Sequence, residues 1–262
     1  MFPTIASVLA SVLYCFSAFL IFKQLGDQDR HRWKPLVLAV VAMLLHAVAL
    51  NRQIYQPAGL NLEFFVAFSL ISWLISGQIL LSCIFRQIDS LGIVVFPISG
   101  LAVLLALVDF TGPLIISGNN ALQGHIMVSV IAYSLIMLGA IQACLLAYQD
   151  HAIRSHHPGG LIRFLPPLHD METLLFQFLS FGFLGLAASL ITGFIFLEDI
   201  FAQHLVHKTV LSIVAWVILG ILLVGRFQFG WRGKTAIRWS LSAFAFLMLA
   251  YFGSKLVLEF IL

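Results

Sequence analysis

Long apolar runs separated by short polar stretches fill this chain from one end to the other. A bilayer-spanning helix needs about 20 predominantly apolar residues. Eight runs qualify, at approximately 3–22, 34–51, 63–85, 91–108, 122–148, 172–197, 207–225 and 236–259. The fourth is the shortest and contains Pro97 and Gly100, but no charge interrupts it from Leu91 to Val108. Pro97 is expected to kink it, because proline removes one backbone donor from the helix. The connectors leave no room for a folded soluble domain. The longest, about Gln149 to Met171, carries Gly159-Gly160 and Pro166-Pro167 and reads as an ordered surface loop. The pattern predicts an all-α fold: a polytopic membrane helical bundle of about eight transmembrane helices, with residues 1–262 forming a single transmembrane domain.

Composition agrees with the pattern. Hydrophobic residues make up 61% of the 262 positions, charged ones 10%, and mean hydropathy is +1.04. That leaves too little polar surface to clothe a water-soluble globule. The +3 net charge is spread over loops with no basic stripe able to track a phosphate backbone, so nucleic acid is excluded as a partner and the lipid bilayer is implied as one. No Lys or Arg precedes the first apolar run, so the N-terminus is expected to stay as an anchor rather than act as a cleaved signal. Cys15, Cys83 and Cys144 lie far apart inside apolar runs and form no C-x-x-C. They read as three buried small hydrophobes, and covalent c-type haem attachment is excluded.

Charge also sets orientation. With the N-terminus outside, inner loops hold Lys23, Arg30, Arg32, Lys34, Arg86, Arg154, Arg163, Arg226, Arg232, Lys234 and Arg238, which is 11 of the 14 cations. Arg52, Lys208 and Lys255 stay outside. The positive-inside bias therefore predicts both termini outside.

An ionisable group inside a bilayer costs several kcal/mol unless it is satisfied, so each marks a candidate site. His31, His151, His156, His157 and His169 fall in inner loops, where solvation accounts for them. His46, His125, His204 and His207 fall on the outer side. His46 is roughly 16 Å up the second span, taking 1.5 Å per residue from Pro35. His125 lies just inside the outer end of the fifth span, followed by Ser129, Ala132, Ile136, Gly139 and Ala143 on or near one helical face. Such a mostly small-residue face admits either a flat ligand or a neighbouring helix. Two histidines at similar depth on different helices suit the axial ligation of a haem iron. The alternative is that each is a buried histidine bonded to a neighbouring helix. His204 and His207 beside Lys208 give a basic outer mouth suited to haem carboxylates. As a zinc site, with Glu198 or Asp199, the pair is weak, and a solvated interfacial role is favoured.

Other polar features read as structure. Ser69, Ser72 and Ser76, and likewise Gly185, Ser189 and Gly193, form small-residue seams for helix packing. Trp33, Trp231 and Trp239 flank spans as aromatic anchors, while Trp73 and Trp216 lie deeper. There is no H-E-x-x-H, G-x-S-x-G or P-loop, and the third and sixth spans lack carboxylates between Phe64 and Phe85 and between Leu174 and Leu197. The residues make no case for an enzyme and disfavour a proton-coupled transporter.

The order of polar landmarks resembles a known family. His46-Ala-Val-Ala-Leu-Asn-Arg52 leads into Gly59-Leu-Asn61-Leu-Glu63; His125 is followed by Tyr133; Leu165-Pro-Pro-Leu-His-Asp-Met-Glu172 opens a span that ends near Thr192-Gly193. Then come His207-Lys-Thr-Val-Leu-Ser212-Ile-Val-Ala-Trp216, Gly225-Arg226, Gly230-Trp-Arg-Gly233 and Ala250-Tyr-Phe-Gly253-Ser-Lys255. This is similar to the cytochrome c assembly transmembrane family, which includes the CcsA, CcmC and HemX proteins, and especially to its short bacterial inner-membrane branch, the YpjD-like proteins. The resemblance implies handling of non-covalent, b-type haem at the outer face of a bacterial cytoplasmic membrane, alongside other cytochrome c maturation proteins. It implies His46 and His125 as iron ligands, and Lys208 and Trp216 match a Lys and a Trp of the larger members; His207 and Arg52 are expected to join Lys208 as haem contacts in the basic outer mouth. The larger members carry a tryptophan-rich outer loop ending in Trp-Asp-Pro-Lys. Here Glu198-Asp199-Ile-Phe-Ala-Gln-His-Leu-Val-His207 contains no Trp, which weakens the case for haem export and apocytochrome ligation more than that for haem binding. A HemX-like membrane regulator of haem synthesis and a haem-free accessory subunit are the alternative expectations.

Overall fold

The computed structural model describes residues 2–24, 31–56, 59–85, 88–108, 120–155, 167–196 and 203–253. Helices occur at all eight expected positions: α1 (Phe2–Lys23), α2 (Trp33–Ile54), α3 (Phe64–Phe85), α4 (Gly92–Leu105), α5 (Asn120–Arg154), α6 (Leu168–Phe196), α7 (Gln203–Phe229) and α8 (Lys234–Met248). Helix is the outcome expected of such runs, because a backbone in hydrocarbon must satisfy its own donors and acceptors. Six of them, α1, α2, α3, α5, α6 and α7, are long and apolar enough to cross a membrane. Residues Asp89–Leu105, a 3-10 turn running into α4, make a shorter apolar helix that continues through Pro97. A π-helical turn at Leu249–Gly253 extends α8. Between α2 and α3 the chain makes a small antiparallel hairpin, Tyr55–Gln56 with Gly59–Leu60, which the apolar pattern gives no sign of.

The helices fall into two compact units, α1–α4 and α5–α8. In the first, α1 turns Ala6, Ala10, Tyr14, Ala18 and Ile21 inward at helical spacing. Ala6 and Ala10 meet Ala49 of α2 and Val103 of α4, with Leu45 packed against them. Ser17 Oγ donates to the Pro35 carbonyl (2.7 Å) and ties the other end of α1 to the start of α2. Gly100 allows α4 to lie against α1, since a Cβ there would sit 3.2 Å from the Ser11 carbonyl oxygen. The Asn61-Leu-Glu63 landmark is an entry device for α3: Asn61 Oδ1 accepts from the Glu63 backbone N–H (2.9 Å) just before the first helical turn.

In the second unit the two small-residue seams are each other's partners. Gly182 faces Ile136, Gly185 faces Ala132 and Gly139 faces Leu179, so α5 and α6 run antiparallel in close register. A Cβ on Gly182 would lie 2.6 Å from Ile136 Cγ1. The face below His125 is thus filled by a helix, the second of the two occupants expected for it.

The cysteine expectation is corrected in part. Cys83 is buried, whereas Cys15 and Cys144 are exposed. Outward thiols carry no penalty where the surrounding medium is itself apolar.

Candidate functional site

His46 and His125 belong to different units and have different surroundings. His46 lies on the inner face of α2, between Ala42 and Ala49, and is 0% exposed. Its Nε2 is 2.8 Å from Ser69 Oγ of α3, and its Nδ1 has no partner among the described residues. The ring meets Tyr14 of α1 edge-on at 5.9 Å between centroids, and Tyr14 in turn stacks on Phe96 of α4 at 5.8 Å. Residues of α1 and α3 therefore hold the imidazole of α2, and α4 backs Tyr14. Ser72 Oγ donates to the Ser69 carbonyl (2.8 Å), Ser99 Oγ to the Ser72 carbonyl (3.1 Å), and Ser76 and Ser99 share a 2.8 Å hydroxyl contact. The serine seam of α3 is thus a hydrogen-bonded polar core as well as a packing surface.

His125 is half-buried at the end of the second unit where α5 starts, α6 ends and α7 starts. Its Nδ1 is 3.0 Å from Thr192 Oγ1 of α6. The Thr192 hydroxyl directs its proton to the carbonyls of Ala188 (2.8 Å) and Ser189 (3.0 Å). The same hydroxyl is within reach of His125 Nδ1, which donates to it or accepts from it according to the ring's tautomer. One turn on, Ser129 Oγ donates to the His125 carbonyl (2.7 Å) and meets Ser189 Oγ at 2.7 Å. A ligand histidine is commonly held this way, with its second nitrogen engaged by a neighbouring oxygen.

His207 and Lys208 lie in the first two turns of α7, at the same end of the unit as His125. His207 is exposed and Lys208 half-buried. Ser212, one turn beyond Lys208, is 3.4 Å from Tyr133 Oη of α5. Trp216 lies farther from that end, about 12 Å along α7 from Lys208 at 1.5 Å per residue. It stacks on Phe183 of α6 at 5.1 Å with 9° between planes, and its Nε1 is buried without a partner among the described residues. An apolar groove of about 520 Å³ runs on from this pair past Gly220 and Val224 to Phe229 and Trp231. Arg52 is exposed on the last turn of α2, in the first unit. Trp73, ambiguous from sequence, is structural: its Nε1 donates to the Met43 carbonyl (2.9 Å). His204 falls on the first turn of α7, whereas Lys255, Glu198, Asp199, His156 and His157 lie outside the described residues. Among the described residues no three His, Cys, Asp or Glu side chains gather in a metal-binding group.

Sequence reasoning missed Thr192 as the partner of His125 and Tyr14 as the neighbour of His46. Tyr14 was open to detection, being a phenol in mid-span of α1 where an unsatisfied hydroxyl is costly. Thr192 was not, because pairing it with His125 requires the register of α5 against α6.

The sequence matches the family described as "Cytochrome C assembly protein" over residues 33–262, a stretch that includes α2–α4 and all of the second unit. It is 30% identical to "Inner membrane protein YpjD" of Escherichia coli K12 over 264 aligned positions, covering 97% of this chain and 98% of that protein. It is 22% identical to "Protein HemX" of Brevibacillus brevis, covering 95% and 93%. A 28.8 kDa protein from the nifR3-like 5′ region of Azospirillum brasilense is 36% identical over about half of each chain. No solved structure matches. A nearly full-length match of this kind, on a chain with six membrane-length apolar helices, makes this multi-pass membrane protein a member of the cytochrome c assembly family.

Proposed function

We propose that this protein binds haem at the outer face of the bacterial cytoplasmic membrane, as a binding or chaperoning factor without catalysis of its own. In this reading all eight helices span, both termini lie outside, and residues 1–262 work as one assembly domain. Its partners are haem, lipid and other cytochrome c maturation proteins. The observation that carries the reading is His125: a family-landmark histidine at a helix-bundle end whose Nδ1 is 3.0 Å from Thr192 Oγ1, the kind of orienting contact that ligand histidines make through their second nitrogen. Bound b-type haem would supply a Lewis-acidic iron and two carboxylates. His125 would hold the iron, and Thr192 would fix the ring that does so. His207 and Lys208, at the same end, and Arg52 on α2 suit the carboxylates, while Trp216 offers a flat aromatic face. His46 is the other proposed ligand. It has Nδ1 to give, but the packing with Tyr14 must open before that nitrogen reaches a macrocycle.

Protein purified in detergent after supply of haem should show a Soret band from haem that acidic acetone extracts. His125→Ala should abolish it or convert a low-spin spectrum into a high-spin one. Thr192→Val should keep the band but shift it, because the ring loses its orienting hydrogen-bond partner. His46→Ala should change the spin state if that ring is the second ligand, and His169→Ala should change nothing. No Soret band after reconstitution, in protein that remains monodisperse, would overturn the reading.

The similarity to HemX along nearly the whole chain favours a second reading, a membrane regulator of haem synthesis. Deletion of the gene would then alter precursor accumulation while leaving cytochrome c maturation intact.

A further inference from the structure

We propose that the cleft where α5 ends, α6 begins and α7 turns into α8 binds the phosphate of an acidic phospholipid headgroup. The cleft measures about 520 Å³ and is lined by Asp150, Arg154, His169, Glu172, Arg232 and Lys234 on its polar side. Leu146, Leu168 and Ile237 form its apolar side. Two carboxylates organise it. Glu172 Oε1 accepts from the Gly233 backbone N–H (2.8 Å), and Glu172 Oε2 lies 3.3 Å from Arg232 Nε. Arg232 also reaches His169 Nδ1 at 3.3 Å, and Arg154 Nε bonds both Asp150 oxygens at 3.0 Å.

Both carboxylates sit inside their cations. The side chains of Glu172 and Asp150 are 12% and 20% exposed, against 55% for Arg232 and 64% for Arg154. Lys234 is exposed and has no carboxylate partner among the described residues. Three cations against two sunken carboxylates leave one net positive charge, presented outward. The α8 N-terminus adds little to it, since the Gly233 donor already faces Glu172. The apolar wall distinguishes a lipid from free phosphate, because it gives an acyl chain a path beside a bound headgroup. Trp231 and Trp239, packed at 5.4 Å around the same turn, mark headgroup depth. Basic pockets between helix ends are where anionic headgroups are recognised.

The test uses the full-length protein in neutral detergent, titrated with short-chain phosphatidylglycerol, phosphatidylcholine or inorganic phosphate and read by native mass spectrometry. Phosphatidylglycerol should be retained at concentrations where phosphatidylcholine is not. Lys234→Ala should weaken it roughly five-fold, equivalent to the about 1 kcal/mol of one lysine beside an anionic surface, and Lys234→Arg should restore it. Lys234 is exposed at a helix start, so neither variant threatens folding. Equal retention of the two lipids would overturn the proposal, as would unchanged phosphatidylglycerol affinity in Lys234→Ala. Inorganic phosphate competing as strongly as the lipid would overturn it in favour of a free-anion site.

Discussion

His46 and His125 present the same residue type at similar depth in the sequence pattern, yet the two units treat them oppositely. His46 is fully buried, with Tyr14 of α1 against its ring, Ser69 of α3 at its Nε2, and Phe96 of α4 stacked behind Tyr14. His125 is only half-buried, its Nδ1 contacts Thr192, and the small residues below it go to contact between α5 and α6. A histidine in a spanning helix is therefore not diagnosed by burial. What decides its chemistry is which nitrogen is engaged and whether the other faces packed protein or an open helix end.

The sharpest way to break this contrast is at the seam. Gly182→Leu should destabilise the second unit by about 3 kcal/mol through overpacking against Ile136, seen as a large fall in Tm in detergent. Gly124→Ala is its control: nothing lies within 4 Å of a Cβ there, so helix propensity should leave Tm level or raised. Next comes His46→Ala, expected to cost about 2–3 kcal/mol because it opens a cavity beside Tyr14 and strips Ser69 of its partner. His125→Ala should cost only about 1 kcal/mol in haem-free protein, since a half-buried ring loses one hydrogen bond. If His125→Ala lowers Tm more than His46→Ala, the contrast between the two packing environments fails. Smallest of all, Tyr133→Phe should change stability by about 0.5 kcal/mol or less, given the 3.4 Å separation from Ser212.

The positions of all eight helices were legible because each is a long apolar run bounded by polar residues, and boundaries differ by only a few positions for most. The second unit's helices start earlier than expected: α5 at Asn120, α6 at Leu168 and α7 at Gln203. Their polar first turns lie beyond the apolar stretch that a hydropathy reading detects. The small-residue character of the α5 and α6 faces was also legible, with a flat ligand or a helix both admitted for α5. Their mutual pairing was not, because which glycine faces which residue depends on the antiparallel register and leaves no one-dimensional trace. The same holds for Glu172 and Arg232, 60 positions apart. In the sequence Glu172 opens the sixth run and Arg232 is an inner-loop cation, and the turn after α7 brings them together.

Helix length separates α1–α3 from α5–α7 too. α1, α2 and α3 have 22 residues each, about 33 Å of helix, close to the roughly 30 Å of hydrocarbon in a bilayer. α6 and α7 reach 29 and 27 residues, and α5 reaches 35, about 52 Å, which exceeds even the 40–45 Å that includes both headgroup layers. α5 must therefore tilt or project into water, and its last turns carry Asp150 and Arg154. Hydrophobic mismatch then falls unevenly on these two sets of helices. A thicker bilayer outruns α1, α2 and α3 before it outruns α5, α6 and α7.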